Sequence, residues 1–366
     1  MDWTTLIRPE LEPMRAYQPG LRGSEVRERA GVERVLKLSS NEHPAGPFPI
    51  ALQAIAAVAP HLNRYPDGSC RALRGRLSAH WGVDERFISV TNGSNELLRL
   101  IAQAVVRPGD EIVYAWPSFV VYPMVASMFA AKPVAVPLTA DQRHDLPAML
   151  AAITGRTRIV FLCNPNNPTG TIYDRDEFEA FLAAVPAHVL LVLDEAYFEF
   201  VTDGAYPDGL GYFDGERPVV VTRTFSKMYS LAGLRVGYGF MPEPLVSAVD
   251  KLREPFNVNT VGQIAASYSL GDQAEVLRRR EENQEQKTYL YSCFDRLGIR
   301  YVESHTNFVY FMTERPVEVF EALLGHGVIA RDFGNAPALR LGVGTPQDTA
   351  TCVAAFQEIV GRLGSI

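Results

Sequence analysis

The sequence predicts an α/β protein built on a mostly parallel, helix-flanked sheet, with a smaller companion unit. Three observations carry this. Short apolar, β-branched runs alternate with amphipathic segments through the middle of the chain. Those runs are apolar at successive positions, as in strands buried on both faces. The two ends of the chain have a different pattern from the middle.

Seven runs are the expected strands of the large unit: FISVTNG from Phe87, EIVYAWP from Glu111, KPVAVPL from Lys132, RIVFLCNP from Arg158, VLLVLDEAY from Val189, PVVVTRTFSK from Pro218 and LRVGYGF from Leu234. Helix-like stretches such as ELLRLIAQAVV after Asn95 and RDEFEAFLAAV after Asp174 lie between them. Near the start, SEVRERAG reads as a charged helix. Past Asp272 come a long charged helix pattern, a strand-like FVYFM, a helix from Pro316 to Leu324 and a strand-like ALRLGVG. The expected division is a large unit over 41–272 and a smaller α+β unit assembled from 1–40 and 273–366.

The chain has 366 residues, 47% hydrophobic content and a net charge of −7. That suffices for a large core, and no basic block invites nucleic acid or an acidic membrane. Four cysteines without CxxC spacing read as reduced residues, and the seven histidines form no ligand cluster, so no metal is expected. No basic segment followed by an apolar run opens the sequence, so the cytoplasm is the expected location.

Four of the expected strands run into polar, turn-rich sequence: Asn92-Gly93-Ser94-Asn95, Asn164 to Gly170 (NPNNPTG), Asp194-Glu195-Ala196-Tyr197 and Phe225-Ser226-Lys227. Parallel strands would bring all four to one crevice, because open α/β sheets bind ligands outside the carboxyl ends of their strands.

Only five lysines occur: Lys37, Lys132, Lys227, Lys251 and Lys287. A lysine that forms a Schiff base must lose its proton, which requires shelter and no close carboxylate. Lys227 alone sits at a strand end without an acidic neighbour in sequence. Lys251 and Lys287 lie in charged segments and read as solvated. Asp194 closes an apolar strand, where a carboxylate needs a cation or a capping role. Tyr197 either reaches the same site or packs in the core. Ser94 and Asn95 open a helix whose free N–H groups suit a phosphate, or simply cap it. Ser226 and Arg235 could add phosphate contacts.

As a set, NGSNELL, NPNNPTG, LDEAY and TFSKMYSLAGLRVGYG resemble the fold-type I pyridoxal-phosphate aminotransferases. With SSNEHP from Ser39 and NRYPD from Asn63, the chain is most similar to the histidinol-phosphate aminotransferases. The resemblance implies pyridoxal 5'-phosphate as cofactor, held as a Schiff base by Lys227, which also moves the proton. It implies that Asp194 pairs with the ring nitrogen, that Asn167 and Tyr197 bond the ring oxygen, and that Phe119 stacks on the ring. Ser94, Asn95, Thr224, Ser226 and Arg235 would hold the phosphate. Tyr65 would reach the phosphate in a neighbouring subunit, which implies a homodimer. Arg340 would clamp an α-carboxylate, with Tyr17, Asn41 and Arg331 lining the substrate pocket. The implied reaction passes an amino group from histidinol phosphate to 2-oxoglutarate. An aromatic amino-acid (phenylalanine) aminotransferase is the alternative; a decarboxylase or a non-catalytic cofactor-binding protein is more remote. His43 and Ala45 depart from the common pattern at the expected substrate side.

Overall fold

The computed structural model describes residues 6–12, 14, 16, 20–334 and 336–366. Among these residues, strand β1 (Leu36–Lys37) comes first. It is followed by β2 (Ile88–Thr91), β3 (Glu111–Trp116), β4 (Lys132–Pro137), β5 (Thr157–Cys163), β6 (Leu190–Asp194), β7 (Val219–Thr224) and β8 (Gly237–Phe240). The C-terminal segment adds β9 (Tyr301–Val302), β10 (Phe308–Met312), β11 (Val328–Ile329), β12 (Arg331–Asp332) and β13 (Ala338–Gly342).

Strands β2 to β8 form one seven-stranded sheet in the order β2-β8-β7-β6-β5-β3-β4. The pairs among β3, β4, β5, β6 and β7 are parallel. Strand β8 runs antiparallel to both its neighbours, so β2 points the same way as the other five. Residues along β5 alternate between two cores. Val160 and Leu162 face one, with Leu191, Leu193 and Val221, while Ile159 and Phe161 face the other, with Ile112, Val192 and Val220. Both faces are covered, which is why the strands read as unbroken apolar runs. Each such side chain contributes about 1.5–3 kcal/mol when fully buried.

Helix Ser94–Val105 turns Leu97, Leu98, Ile101 and Ala102 inward at the spacing of one helical face. Helix Arg175–Ala184 starts with a reciprocal cap between Asp174 and Glu177, and helix Pro346–Leu363 with one between Thr345 and Asp348. Each cap satisfies two N–H groups that a helix start leaves unpaired.

The second sheet has the order β12-β13-β10-β9, and β1 pairs in parallel with β11. A separate core joins Leu36 and Leu38 to Phe294, Phe311, Leu339 and Phe356. Among the described residues no helix is long and apolar enough to cross a membrane.

One expectation is corrected here. Lys287 is not solvated: it is 2% exposed, and its Nζ donates to the Ser304 carbonyl oxygen. The 25-residue helix Gln273–Leu297 is charged on its outer face, but Lys287 falls on the inner one, with buried Leu290 and Phe294 three and seven residues on. Charge density along the sequence did not report that phase.

Candidate active site

The parallel order brings the ends of β2, β5, β6 and β7 to one edge of the sheet. Arg235 reaches that edge for the opposite reason. It precedes β8, the antiparallel strand, so the start of β8 lies where its neighbours end. A cleft of about 1490 Å³ opens there. Its walls include Ser94, Asn95, Phe119, Asn167, Asp194, Tyr197, Thr224, Ser226, Lys227 and Arg235 from the large sheet's side, and Asn41, Arg331 and Arg340 from the other. Tyr65 is not in these walls. It is 82% exposed and stacks on Phe256, with ring centroids 4.6 Å apart. Tyr17 lies outside the described residues.

Asp194 is the last residue of β6 and is 2% exposed. Its Oδ2 accepts a 2.9 Å hydrogen bond from the Tyr122 hydroxyl. Burial pushes its carboxyl up to about 6, with the Tyr122 bond foremost among the opposing effects. Lys227 donates from Nζ to the Ser40 carbonyl oxygen at 3.2 Å. Burial first, then the Arg340 charge, lower its ammonium to about 8. The cleft therefore eases proton loss from Lys227 and favours a proton or cation at Asp194.

The start of helix Ser94–Val105 is shaped to admit Arg235. Gly93 has φ +83, and a Cβ there would lie 2.6 Å from Arg235 Nη2. A Cβ on Gly237 would lie 2.2 Å from the Ser94 nitrogen. Arg235 itself takes a left-handed φ of 56, a conformation costly for a side chain of this size. Thr224 and Ser226, 3.0 Å apart through their hydroxyls, lie beside this helix start in the cleft wall. Helix N–H groups, two hydroxyls and a guanidinium together form a cradle for an anion.

On the opposite wall, Asn41 donates from Nδ2 to the Tyr197 hydroxyl at 2.8 Å. Arg340 donates to Asn167 Oδ1 and, at 2.6 Å, to the Ser39 carbonyl oxygen. Arg331 on β12 is the register partner of Arg340 on β13.

Several supporting residues escaped the sequence reading. Tyr122 is one; its only signal was its place three residues after Phe119. Buried Arg223 donates from Nε and Nη2 to Glu195 Oε2 at 2.9 and 2.8 Å, fixing the turn after Asp194. Asn166 Oδ1 accepts from Ser118 Oγ at 2.8 Å and lies 3.2 Å from His144 Nε2, tying the loop of Phe119 to that of Asn167. His43, expected at the substrate side, instead turns toward Arg279 and Phe200 and is not in the cleft wall. Burial there, with the Arg279 charge, holds its imidazole down to about 3.

The family model of aminotransferase class I and II matches residues 33–356. The histidinol-phosphate aminotransferase of Moorella thermoacetica is 45% identical over 358 residues, spanning 96% of this chain and 92% of that protein. The chain belongs to the histidinol-phosphate aminotransferase family. A second such aminotransferase, histidinol-phosphate aminotransferase 2 of Carboxydothermus hydrogenoformans, is 43% identical and covers 97% of this chain and 99% of its own. The crystal structure of histidinol-phosphate aminotransferase from Sinorhizobium meliloti, in complex with pyridoxal-5'-phosphate, superposes with a TM-score of 0.89. It is 26% identical and covers 98% of each chain. A single mutant of Thermus thermophilus aspartate aminotransferase, at 22% identity and a TM-score of 0.84, shares the fold.

Proposed function

We propose that this aminotransferase uses pyridoxal 5'-phosphate to move an amino group from histidinol phosphate to 2-oxoglutarate, yielding imidazole acetol phosphate and glutamate. The observation that carries the reading is the convergence, in one cleft, of a sheltered lysine, a buried carboxylate and an anion cradle.

The residues fit the cofactor on their own chemistry. Gly93 and Gly237 leave room at a helix start for Arg235 and for a phosphate beside it. Asp194 is buried where a protonated ring nitrogen would satisfy it. When bound, pyridoxal phosphate supplies a carbonyl carbon for imine exchange and a ring that takes up charge from the substrate's Cα.

The chain's own groups do the rest. Lys227 holds the cofactor between turnovers. With the cofactor bound, Lys227 Nζ would carry a proton to and from the substrate's Cα, a role suited to an ammonium lowered to about 8. Asp194 keeps the ring nitrogen protonated, and Asn167 and Tyr197 orient the ring oxygen. Phe119 covers the ring face. Backbone N–H groups at Ser94 and Asn95, with Thr224, Ser226 and Arg235, anchor the phosphate. Arg331 meets the phosphate of histidinol phosphate and Arg340 the α-carboxylate of glutamate, both from the cleft wall formed by β12 and β13. Asn41 lines the same wall, beside Tyr197.

The same reading includes a homodimer, in which exposed Tyr65 reaches the partner's phosphate site, and a cytoplasmic location. It also includes a division into a large cofactor-binding unit over 41–272 and a small unit from 1–40 and 273–366. The separate core around Leu36, Phe294, Phe311 and Phe356 supports a small unit, although Val276 and Phe308 pack into the large unit's core.

The test is a parallel assay of histidinol phosphate and phenylalanine as donors to 2-oxoglutarate. Strong preference for histidinol phosphate is expected, and Arg331→Gln should reduce its kcat/KM about tenfold more than that of phenylalanine. Preference for phenylalanine would move the enzyme to aromatic substrates. Lys227→Ala should abolish turnover with either donor.

A further inference from the structure

We propose that Tyr122 is a positioning residue that keeps Asp194 ionised for its pairing with the cofactor's ring nitrogen, through the hydrogen bond from its hydroxyl to Asp194 Oδ2. The inference rests on the cofactor role proposed above for Asp194.

The geometry is that of a fixed donor. Tyr122 is fully buried and donates at 2.9 Å. Its ring stacks on Phe161 with centroids 4.6 Å apart and planes 13° apart, and meets Phe119 edge-on at 5.8 Å. The hydroxyl is thereby aimed, and one side chain touches both Asp194 and the residue assigned to the ring face. Burial and the Asp194 charge hold the Tyr122 phenol well above its ordinary range, so it stays a donor.

Other groups facing Asp194 do less. Thr222 Oγ1 lies 3.5 Å from Oδ1, at the limit of a hydrogen bond. Cys163 on β5 is a buried thiol pushed up to about 12, so it remains neutral. Tyr197 is likewise buried and raised, chiefly by desolvation. The Ala196 backbone N–H and the Lys227 charge also favour the ionised carboxyl, but each ranks below Tyr122 in effect. Desolvation drives Asp194 toward the neutral acid, which cannot hold a protonated ring nitrogen by charge. The tyrosine bond opposes that drift. Without it, the shared proton moves from the ring nitrogen toward Asp194, and the ring loses charge.

The test uses Tyr122→Phe, which removes the hydroxyl and keeps the ring, reconstituted with pyridoxal phosphate carrying nitrogen-15 in the ring. Two changes are expected relative to wild type. The ring-nitrogen resonance moves toward the unprotonated position near neutral pH. The pH midpoint of the Lys227-bound cofactor's colour change rises by about one unit. A lowered thermal midpoint with both readouts unchanged would mean that Tyr122 only packs, and would overturn the inference. Placing 3-fluorotyrosine at position 122 keeps the shape and strengthens the donor, so the ring nitrogen should stay protonated and the colour-change midpoint should not rise; shifts like those of Tyr122→Phe would also overturn it. If wild type forms no coloured Lys227-bound species, the cofactor reading fails and takes this inference with it. Colour in wild type with an unchanged Tyr122→Phe spectrum and resonance defeats this inference alone.

Discussion

Arg235 occupies the space where a side chain at residue 93 would begin: a Cβ on Gly93 would sit 2.6 Å from its Nη2. Gly93 also holds a φ of +83, which alanine adopts only at a cost. Gly93→Ala should therefore displace the guanidinium from the helix start and weaken cofactor affinity about tenfold. Fluorescence titration of cofactor-free protein with pyridoxal phosphate checks this, and an affinity close to wild type would remove the cradle argument.

Lys227 gives a pH prediction. Its ammonium is lowered to about 8, first by burial and then by Arg340. Only the neutral amine attacks a carbonyl, so capture of pyridoxal phosphate by cofactor-free protein should speed up with pH and level off above about 8. An ordinary lysine would keep gaining toward about 10.4. Stopped-flow absorbance separates the two profiles.

Arg223 and Glu195 form a buried ion pair, the arginine also reaching Asp208 at 2.6 Å. Replacing one partner leaves a buried charge poorly compensated. Glu195→Gln should destabilise the fold by about 3 kcal/mol, less than the upper end for such pairs because Asp208 remains. Urea unfolding measures it, and a loss under about 1 kcal/mol would show that Asp208 alone suffices.

Lys287 is lowered by burial to about 8, so the unfolded chain binds its proton more tightly than the native one. Its burial cost is fully present below pH 8 and is relieved as pH rises from there toward the unfolded value of about 10.4. Wild-type stability should gain on the order of 2–3 kcal/mol from this group across that window. Lys287→Met should lose that gain, leaving only the contributions that both proteins share, such as Lys227. Unfolding at matched pH values compares them, and parallel pH curves would refute the assignment.

The sequence by itself determined the alternating α/β order, the seven strands of the large sheet and the turn segments that line the cleft. These are local properties: strands buried on both faces must be apolar throughout, and a lysine, aspartate or glycine at a strand end stands out against them. Lys227 and Asp194 were legible for that reason, Asn167 and Arg235 chiefly through the family resemblance, and the tertiary structure places all four in one cleft. Only the tertiary structure decided that β8 runs against its neighbours and so delivers Arg235 to their carboxyl edge. It alone revealed that Tyr122 bonds Asp194 across 72 positions of sequence, that Arg331 and Arg340 stand side by side, that Lys287 is buried and that His43 turns away from the cleft. Each depends on which face of an element meets a distant partner. Composition and periodicity constrain a segment's own shape; they do not encode what another segment presents to it.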